Sequence, residues 1–250
     1  MSGEPRPSVA AVVLAARGGA RLARTLASVA WAGERLVVDP ARQLAGAALP
    51  PGVARLDRPD EVSGRTRAPW LLLLTEDEVA PAALAAAVRA ATAHPRGDAY
   101  RITREVHGFG AVVAVAGAPV RLARRERARV GVGAGLTPVL RVPPGWRKRL
   151  EVPLMANVGD ALADAVENLD ADATALAGLL RAARRTPLVR TAAWATLVGG
   201  ARVLVGRRRP TGARGVPWAR WSLAVLAGYR AMAAYGKLWE TLQADAAALR

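Results

Sequence analysis

The sequence predicts an α/β protein in which an open, mostly parallel sheet is followed by a helical C-terminal region. Short apolar runs alternate with helical patterns over residues 8–95. Strands of a parallel sheet are buried on both faces, so they appear in a sequence as continuous apolar runs. After Pro153 the strand patterns give way to helical ones. We therefore divide the chain into an α/β domain, residues 1–152, and a helical region, residues 153–250.

The predicted strands are short. The apolar runs before residue 95 are Ser8–Ala16, Arg35–Val38, Val53–Leu56 and Trp70–Leu74. Glycine turns separate further predicted strands between Gly97 and Arg125. With the helices between them, the order is β-α-β-β-β-α, which is typical of an open sheet covered by helices.

The predicted helices lie between and after these strands. The first follows Gly19 and places Leu22, Leu26 and Val29 at helical spacing. Pro81 begins the second, because proline in a first turn loses no hydrogen bond. The helices predicted for the C-terminal region are Asp160–Ala183, Thr191–Val205 and Trp218–Leu249.

Composition excludes several classes of site. At 250 residues the chain is long enough for one α/β core with an appendage, since domains most often hold about 100–150 residues. It has no cysteine, which excludes a disulfide framework, a cysteine zinc site and a cysteine nucleophile. Its only histidines are His94 and His107, which excludes a histidine-rich metal site.

The formal charge of +16 is concentrated in one region. No Asp or Glu lies between Ala173 and Trp239, whereas eleven arginines and Lys237 do. The window also contains tryptophans and tyrosines, and helices that combine basic and aromatic residues lie on anionic bilayers. We therefore expect the C-terminal helices to contact an anionic membrane surface. The alternative is that their apolar side packs on the sheet while the arginines face water.

The N-terminus lacks the charged, apolar and small-residue regions of a secretory signal. No apolar run reaches the roughly 18 to 20 residues that a membrane-spanning helix requires. We expect a cytoplasmic protein with peripheral contact at the inner face of the cell membrane.

Acidic residues follow two of the predicted strands. Asp39 comes directly after the second strand, and the strand at Trp70–Leu74 runs into Thr75–Glu78, with the sequence TEDE. Ligands of open α/β sheets bind beyond the carboxyl ends of the strands, so we expect these acids to share one crevice. Two structural alternatives stay open. Asp39 before proline is a common turn former, and the acids of TEDE suit a solvated turn before a helix.

Longer stretches of the sequence resemble a known family. The first is LARTLASVAWAGERLVVD, from Leu22 to Asp39, and the second is WLLLLTEDEVAPAAL, from Trp70 to Leu84. AYRITREVHGFG, VRLARRERAR and the C-terminal YRAMAAYGKLWE add to them. Together they resemble family 2 glycosyltransferases, particularly those of the lipopolysaccharide-core type. The resemblance implies a GT-A-like sheet that binds a nucleotide sugar.

By this resemblance, Asp39 contacts the base or ribose of the nucleotide, and Asp77 is the last Asp of a metal-binding DxD motif. Glu78 matches the acid that follows this motif and is the candidate base that deprotonates the acceptor hydroxyl. Thr75 stands in place of the first Asp and offers Mg²⁺ or Mn²⁺ only a neutral hydroxyl, which predicts weak metal binding. The metal-ligating His expected near residues 155–157 is also absent.

Arginines are the candidates to neutralise the donor's diphosphate in place of a metal. We assign Arg17 to donor binding and consider Arg65 and Arg67 for the same task, because a guanidinium binds phosphate with two parallel hydrogen bonds. His107 is a candidate acid or base, and its alternative is a packed or surface residue.

The sequence thus predicts a glycosyltransferase that moves a sugar from a nucleotide-sugar donor to a cell-envelope saccharide or lipid-linked acceptor. The alternative is a catalytically degenerate protein of the same fold that acts as a membrane-associated partner in envelope polysaccharide assembly. Nucleic-acid binding rests on charge alone, since the basic window contains no recognition motif, and we expect no nucleic-acid partner.

Overall fold

The computed structural model describes residues 8–44, 46–108, 111–116, 118–133, 137–159, 162–184, 189–205 and 217–248. These residues form a mixed α/β fold with one large, mostly parallel sheet and long C-terminal helices, which confirms the predicted fold class. The strands are β1 (Val9–Leu14), β2 (Glu34–Val38), β3 (Val53–Leu56), β4 (Trp70–Thr75), β5 (Glu78–Val79), β6 (Ala99–Gly108), β7 (Ala111–Ala116), β8 (Val120–Arg124), β9 (Arg129–Val132), β10 (Pro138–Arg141) and β11 (Arg147–Asn157).

Except for the short helix α2, which was not predicted, the helices agree with the sequence patterns to within a few residues at each end. They are α1 (Gly19–Ser28), α2 (Val62–Arg65), α3 (Ala82–Ala93), α4 (Leu162–Ala182), α5 (Val189–Val205) and α6 (Pro217–Ala248). The short strands β5, β9 and β10 and the long strand β11 were not predicted, because they lack a continuous apolar run.

The large sheet has the order β3-β2-β1-β4-β8-β6-β11-β5, and β7 pairs with β6. Strands β3, β2, β1 and β4 are parallel neighbours. Strand β8 is antiparallel to both β4 and β6, so β6 and its parallel neighbour β11 run in the same direction as β1. The carboxyl ends of β1, β2, β4, β6 and β11 therefore lie along one edge. Strands β9 and β10 form a separate antiparallel pair.

Helices cover both faces of the sheet. Alternate residues of β1 and β4 pack on α1 and α3 through Leu22, Leu26, Leu84 and Val88. The other residues of these strands share a core with α4 and α6, which contribute Ala173, Leu176, Leu180, Ala231, Ala234 and Leu238. The C-terminal helices are thus the second layer of the sheet domain. Residue 153, where the sequence analysis divides the chain, lies inside β11.

Helix α4 lies close to the carboxyl edge of the sheet. Its Ala171 and Ala175 pack on Ala16, just after β1. A Cβ atom at Gly178 would lie 2.9 Å from the backbone of Pro40, just after β2. Because glycine permits this close approach, α4 crosses directly over the loops that follow both strands.

Among the described helices, none combines the length and the apolar character needed to cross a bilayer.

Candidate functional site

Three loops meet at the carboxyl edge of the sheet. They follow β1, β2 and β4, and β1 lies between the other two strands. Because neighbouring strands are about 4.8 Å apart, the ends of β2 and β4 are roughly 10 Å from each other. Asp39 and Asp77 therefore lie on the same edge and on either side of the loop after β1. That they share one crevice remains a prediction.

Glu76 holds the loop after β1. Its carboxylate accepts hydrogen bonds from the backbone N–H groups of Ala16 at 2.7 Å, Arg17 at 2.9 Å and Gly18 at 3.0 Å. Only 2% of Glu76 is exposed, and its own N–H donates to the carbonyl of Leu14. Successive N–H groups of such a loop can bind an anion, and here the anion is a side chain of the protein itself.

Asp39 holds the loop after β2 in a similar way. It is buried and accepts hydrogen bonds from the N–H groups of Gln43 at 2.9 Å and Leu44 at 2.8 Å. Nη2 of Arg55 lies 2.9 Å from its Oδ2. Both carboxylate oxygens of Asp39 thus have partners within the fold. Its predicted contact with a nucleotide remains a prediction.

The loops after β1 and β2 also pack against each other. Gly18 has a φ of +83°, and a Cβ atom at this position would lie 2.5 Å from Cδ2 of Leu44. Both the backbone conformation and the contact favour glycine. Leu44 is the residue whose N–H binds Asp39, so Glu76, the glycine turn and Asp39 form one connected arrangement.

Asp77 points towards a basic neighbour on β6. One carboxylate oxygen accepts the hydroxyl of Thr75, and the other pairs with Nη2 of Arg104. Burial pushes the pKa of Asp77 upward, but the positive charges of Arg104 and Arg21 outweigh it and lower the pKa to about 2. Asp77 is therefore ionised at neutral pH. The backbone N–H of Asn157, at the end of β11, donates to its carbonyl.

Glu78 is fully buried. Its Oε2 accepts the N–H of Thr75 at 2.9 Å, and its Oε1 lies 2.7 Å from Nη2 of Arg121 and 2.9 Å from Nε of Arg104. Such pairing favours a positioning role over proton transfer, because an acceptor hydroxyl has no exposed oxygen to reach. The sequence-based assignment of Glu78 as the base remains a prediction.

The C-terminal helices add charged groups to the same edge. Nη1 of Arg21, in α1, lies 3.9 Å from Oε1 of Glu76, and its Nη2 lies 4.0 Å from Oδ1 of Asp172 in α4. Burial and the negative charge of Asp77 raise the pKa of Asp172 to about 7, while Arg230 of α6 and Arg21 act in the opposite direction. The Asp172 side chain is 23% exposed, so this carboxyl is largely buried but still partly accessible at the rim of the edge.

These residues do not fit a divalent cation. Mg²⁺ and Mn²⁺ prefer several free oxygen ligands, but both oxygens of Asp77 are bound by Thr75 and Arg104. Within the described ranges, no three Asp, Glu, His or Cys residues are grouped so that they could hold a metal ion. Asp77 as a metal ligand remains a prediction, and we derive no chemical step through a metal.

The other residues proposed from the sequence are dispersed. Arg17 lies at the edge, where its half-exposed side chain pairs with Glu167 of α4. Arg65 and Arg67 precede β4 and therefore lie at the opposite edge of the sheet, too far from Asp77 to share a ligand with it. His107, near the end of β6, has its Nε2 2.9 Å from Oε1 of Glu105.

The sequence analysis did not assign the charged residues that complete the site. Arg104 and Arg121 lie within the quoted segments AYRITREVHGFG and VRLARRERAR, but nothing in those segments indicates which arginine faces the edge. Asp172 is the last acid before the acid-free window, which is a usable signal. Arg21 and Arg230 carry no local signal, because helical spacing alone does not reveal which face meets a distant strand.

Comparisons with known proteins are limited. No protein-family model matches the sequence, and a search of curated proteins finds no match. Among solved structures, S. aureus TarS 1–349 is 12% identical, with 95% of this chain and 92% of that chain covered and a TM-score of 0.36. S. aureus TarS 1–349 in complex with UDP is 11% identical, with 94% of this chain and 91% of that chain covered and a TM-score of 0.34. The same protein in complex with UDP-GlcNAc is 11% identical, with 91% of each chain covered and a TM-score of 0.36. An overlap this limited supports no conclusion about ligand or reaction.

The raised pKa of Asp172 predicts a pH-dependent stability. Between about pH 4 and 7 the folded chain holds a proton that the unfolded chain releases, so the free energy of unfolding falls as pH rises through this window. Asp77 acts with the opposite sign, and only below about pH 4. In the wild-type chain we expect the free energy of unfolding to fall by about 2 kcal/mol between about pH 4 and 7, and we expect Asp172→Asn to abolish this fall. Urea unfolding at a series of pH values measures the free energy of unfolding of both chains.

Asp170→Asn is the matched control, since Asp170 lies on the same helix with a 72% exposed side chain. If Asp172→Asn keeps the pH dependence of the wild type, the pKa of Asp172 is not raised and the prediction is wrong.

Proposed function

We propose that the protein is a glycosyltransferase that transfers a sugar from a nucleoside-diphosphate donor to a cell-envelope saccharide or a lipid-linked acceptor. One observation carries the proposal. The carboxylates after β2 and β4 lie on either side of a glycine turn at the carboxyl edge of parallel strands, where open α/β folds bind nucleotides. Leu22–Asp39 and Trp70–Leu84 resemble family 2 glycosyltransferases, and this resemblance implies that the ligand at this edge is a nucleotide sugar.

The edge supplies the charges that such a reaction needs. The diphosphate gains negative charge as it leaves, and fixed positive groups stabilise that charge. Arg21 and Arg104 lie at the rim with side chains 16% and 18% exposed. Arg17, whose side chain is half exposed, is a third candidate for the donor.

A carboxylate removes the proton from the acceptor hydroxyl in an inverting transfer. The resemblance points to Glu78 for this step. Asp172 is a second candidate, because its side chain is partly exposed and faces the same edge from α4. Once donor and acceptor are known, turnover by Glu78→Gln and by Asp172→Asn separates the two assignments.

The C-terminal helices support an acceptor at a membrane surface. Helix α6 exposes Trp221, Val225, Tyr229, Met232 and Trp239, which recur every three to four residues or multiples of that spacing and so form one stripe. Its opposite side is buried in the core. Helix α5 packs along α6, approaching it closely at Gly200 and Gly228, and exposes Trp194 and Leu197.

The charge of the surrounding sequence supports an anionic lipid surface as the occupant of this apolar face. The face belongs to the window from Ala173 to Trp239, which contains eleven arginines and no acid. Each basic residue near an anionic membrane contributes about 1 kcal/mol, and aromatic side chains anchor at the interface. We place the protein peripherally at the inner face of the cell membrane.

A specific observation favours the alternative, a catalytically degenerate protein acting as a membrane-associated partner in envelope polysaccharide assembly. The carboxylate of Glu76 fills the N–H groups after β1, and Asp39 is satisfied by its own loop. In a chain that no longer binds a donor, the N–H groups after β1 can bind a side chain of the protein without loss of function. The donor experiment decides between the two functions.

Thermal unfolding with a panel of nucleoside diphosphates and their sugars, with and without Mn²⁺, tests the enzyme. A ligand present at 100 times its Kd adds about 2.7 kcal/mol, which raises the Tm by roughly 5–10 °C in a chain of this size. We expect one nucleotide to do this and Asp39→Asn to reduce the ligand-induced shift. Asp57→Asn is the control, because Asp57 also lies near Arg55 but is 43% exposed. Indifference to the whole panel would favour the non-catalytic partner.

Co-sedimentation with vesicles that contain anionic phospholipid tests the membrane surface. Replacing Trp221, Tyr229 and Trp239 together with serine removes three exposed aromatic anchors. At about 25 cal/mol per Å² of apolar area, we expect binding to weaken at least about tenfold. Trp146→Ser is the control, since Trp146 is 75% exposed but lies just before β11. Equal sedimentation of the triple variant, or equal binding to neutral vesicles, would contradict the proposal.

A further inference from the structure

Several guanidinium nitrogens at the carboxyl edge have no hydrogen-bond acceptor. In the described part of the chain they include Nη1 of Arg21, Nε of Arg55, Nε of Arg104, Nε of Arg230, and Nε and Nη1 of Arg121. Buried donors are almost always paired in folded proteins, and an unpaired one costs roughly 1–3 kcal/mol. Several unpaired donors in one cluster indicate that an acceptor normally completes it.

The arginines come from four different elements. Arg104 and Arg121 pair directly with Asp77 or Glu78, whereas Arg21 and Arg230 lie towards Asp172. Arg21 belongs to α1, Arg104 to β6, Arg121 to β8 and Arg230 to α6. Arg104 bridges Asp77 and Glu78, and Arg121, which lies on β8, pairs with Glu78. Arg21 lies 3.9 Å from Glu76 and 4.0 Å from Asp172, beyond hydrogen-bond distance, so its guanidinium group can still donate hydrogen bonds to an added anion.

Electrostatics within the cluster point the same way. Burial lowers the pKa of Arg121, the negative charge of Glu78 opposes this, and the positive charge of Arg104 adds to it. Burial also lowers the pKa of Arg230, the negative charge of Asp172 opposes this, and Arg104 again adds to it. Arg104 thus repels both of the other arginines. An oxyanion between them would relieve both the repulsion and the missing hydrogen bonds.

We propose that Arg21, Arg104 and Arg230 form an oxyanion site that binds a diphosphate group without a divalent cation. Arg121 is a positioning residue, because it is buried and reaches the site only through Glu78. The side chains of Arg21 and Arg104 are partly exposed, so the rim of the site is open to a ligand. A metal at this position would need two free carboxylates, but one position is Thr75 and the carboxylate of Asp77 is bound by Thr75 and Arg104.

A diphosphate suits these donors. Its oxygens accept several charge-assisted hydrogen bonds at once, and planar guanidinium groups bind phosphate through two parallel N–H donors. A cation would have to displace Arg104 from Asp77 and would be repelled by the remaining arginines. The inference rests on the proposed function in one respect, since it names how that same site holds the donor's diphosphate.

Calorimetric titration of the full chain with inorganic pyrophosphate in EDTA tests the site directly. We expect binding without any divalent cation. Arg230→Gln and Arg21→Gln should each weaken it by about tenfold or more, because each removes a charged donor. Arg230→Lys keeps the charge but loses the planar fork, and should retain part of the affinity. Circular dichroism confirms that each variant is folded.

Arg181→Gln is the control, because Arg181 lies on α4 with a 52% exposed side chain and pairs with Asp245. Pyrophosphate binding that requires Mg²⁺, or that falls equally in Arg181→Gln, overturns the inference. Absence of any binding in EDTA also overturns it.

The outcomes separate this inference from the proposed function. Pyrophosphate binding with the expected variant pattern, but indifference to every nucleotide sugar, keeps the oxyanion site and removes the glycosyltransferase. Nucleotide-sugar binding that depends on Mn²⁺ and is unaffected by Arg230→Gln keeps the glycosyltransferase and removes the arginine site.

Discussion

The site edge depends on one interaction, the carboxylate of Glu76 bound by three successive N–H groups of the loop after β1. Hydrogen bonds to a charged acceptor contribute about 1.5–3 kcal/mol each, and they are needed here because the carboxylate is almost fully buried. The interaction fixes the glycine turn, on which Leu44 and the Asp39 loop pack. It also fixes the strand end, so that Asp77 faces away from that loop and towards Arg104.

This arrangement gives the edge its electrostatic character. Each carboxylate that follows β4 is held by donors of the fold: Glu76 by backbone N–H groups, Asp77 by Arg104, and Glu78 by Arg121. The acids are therefore used as internal anchors, and in the proposed site the arginines are the groups that bind the ligand. The C-terminal helices take part as well, since α4 supplies Asp172 and α6 supplies Arg230. Helix α6 exposes aromatic side chains on one side and brings Arg230 to the charged edge, so one helix joins the two surfaces proposed above.

Much of the fold could be predicted because its signals are local. Continuous apolar runs located β1, β2 and β4, and the parallel rule placed Asp39 and Asp77 on the same edge. What each acid binds could not be predicted. Glu76 and Asp77 form the turn between β4 and β5, where Glu76 binds the loop after β1 and Asp77 pairs with Arg104. The partners of these acids lie 27 to 60 residues away in sequence, and no local pattern encodes such contacts.

The central claim is that Glu76 is a structural anion whose charge the loop after β1 requires. Equilibrium urea unfolding of Glu76→Gln against Glu167→Gln tests it most directly, because both acids bind Arg17, one through the backbone and one through an exposed side chain. We expect Glu76→Gln to lower the free energy of unfolding by about 2–4 kcal/mol. Glu167→Gln should change it by less than about 1 kcal/mol. Equal, small effects of the two substitutions would contradict the account.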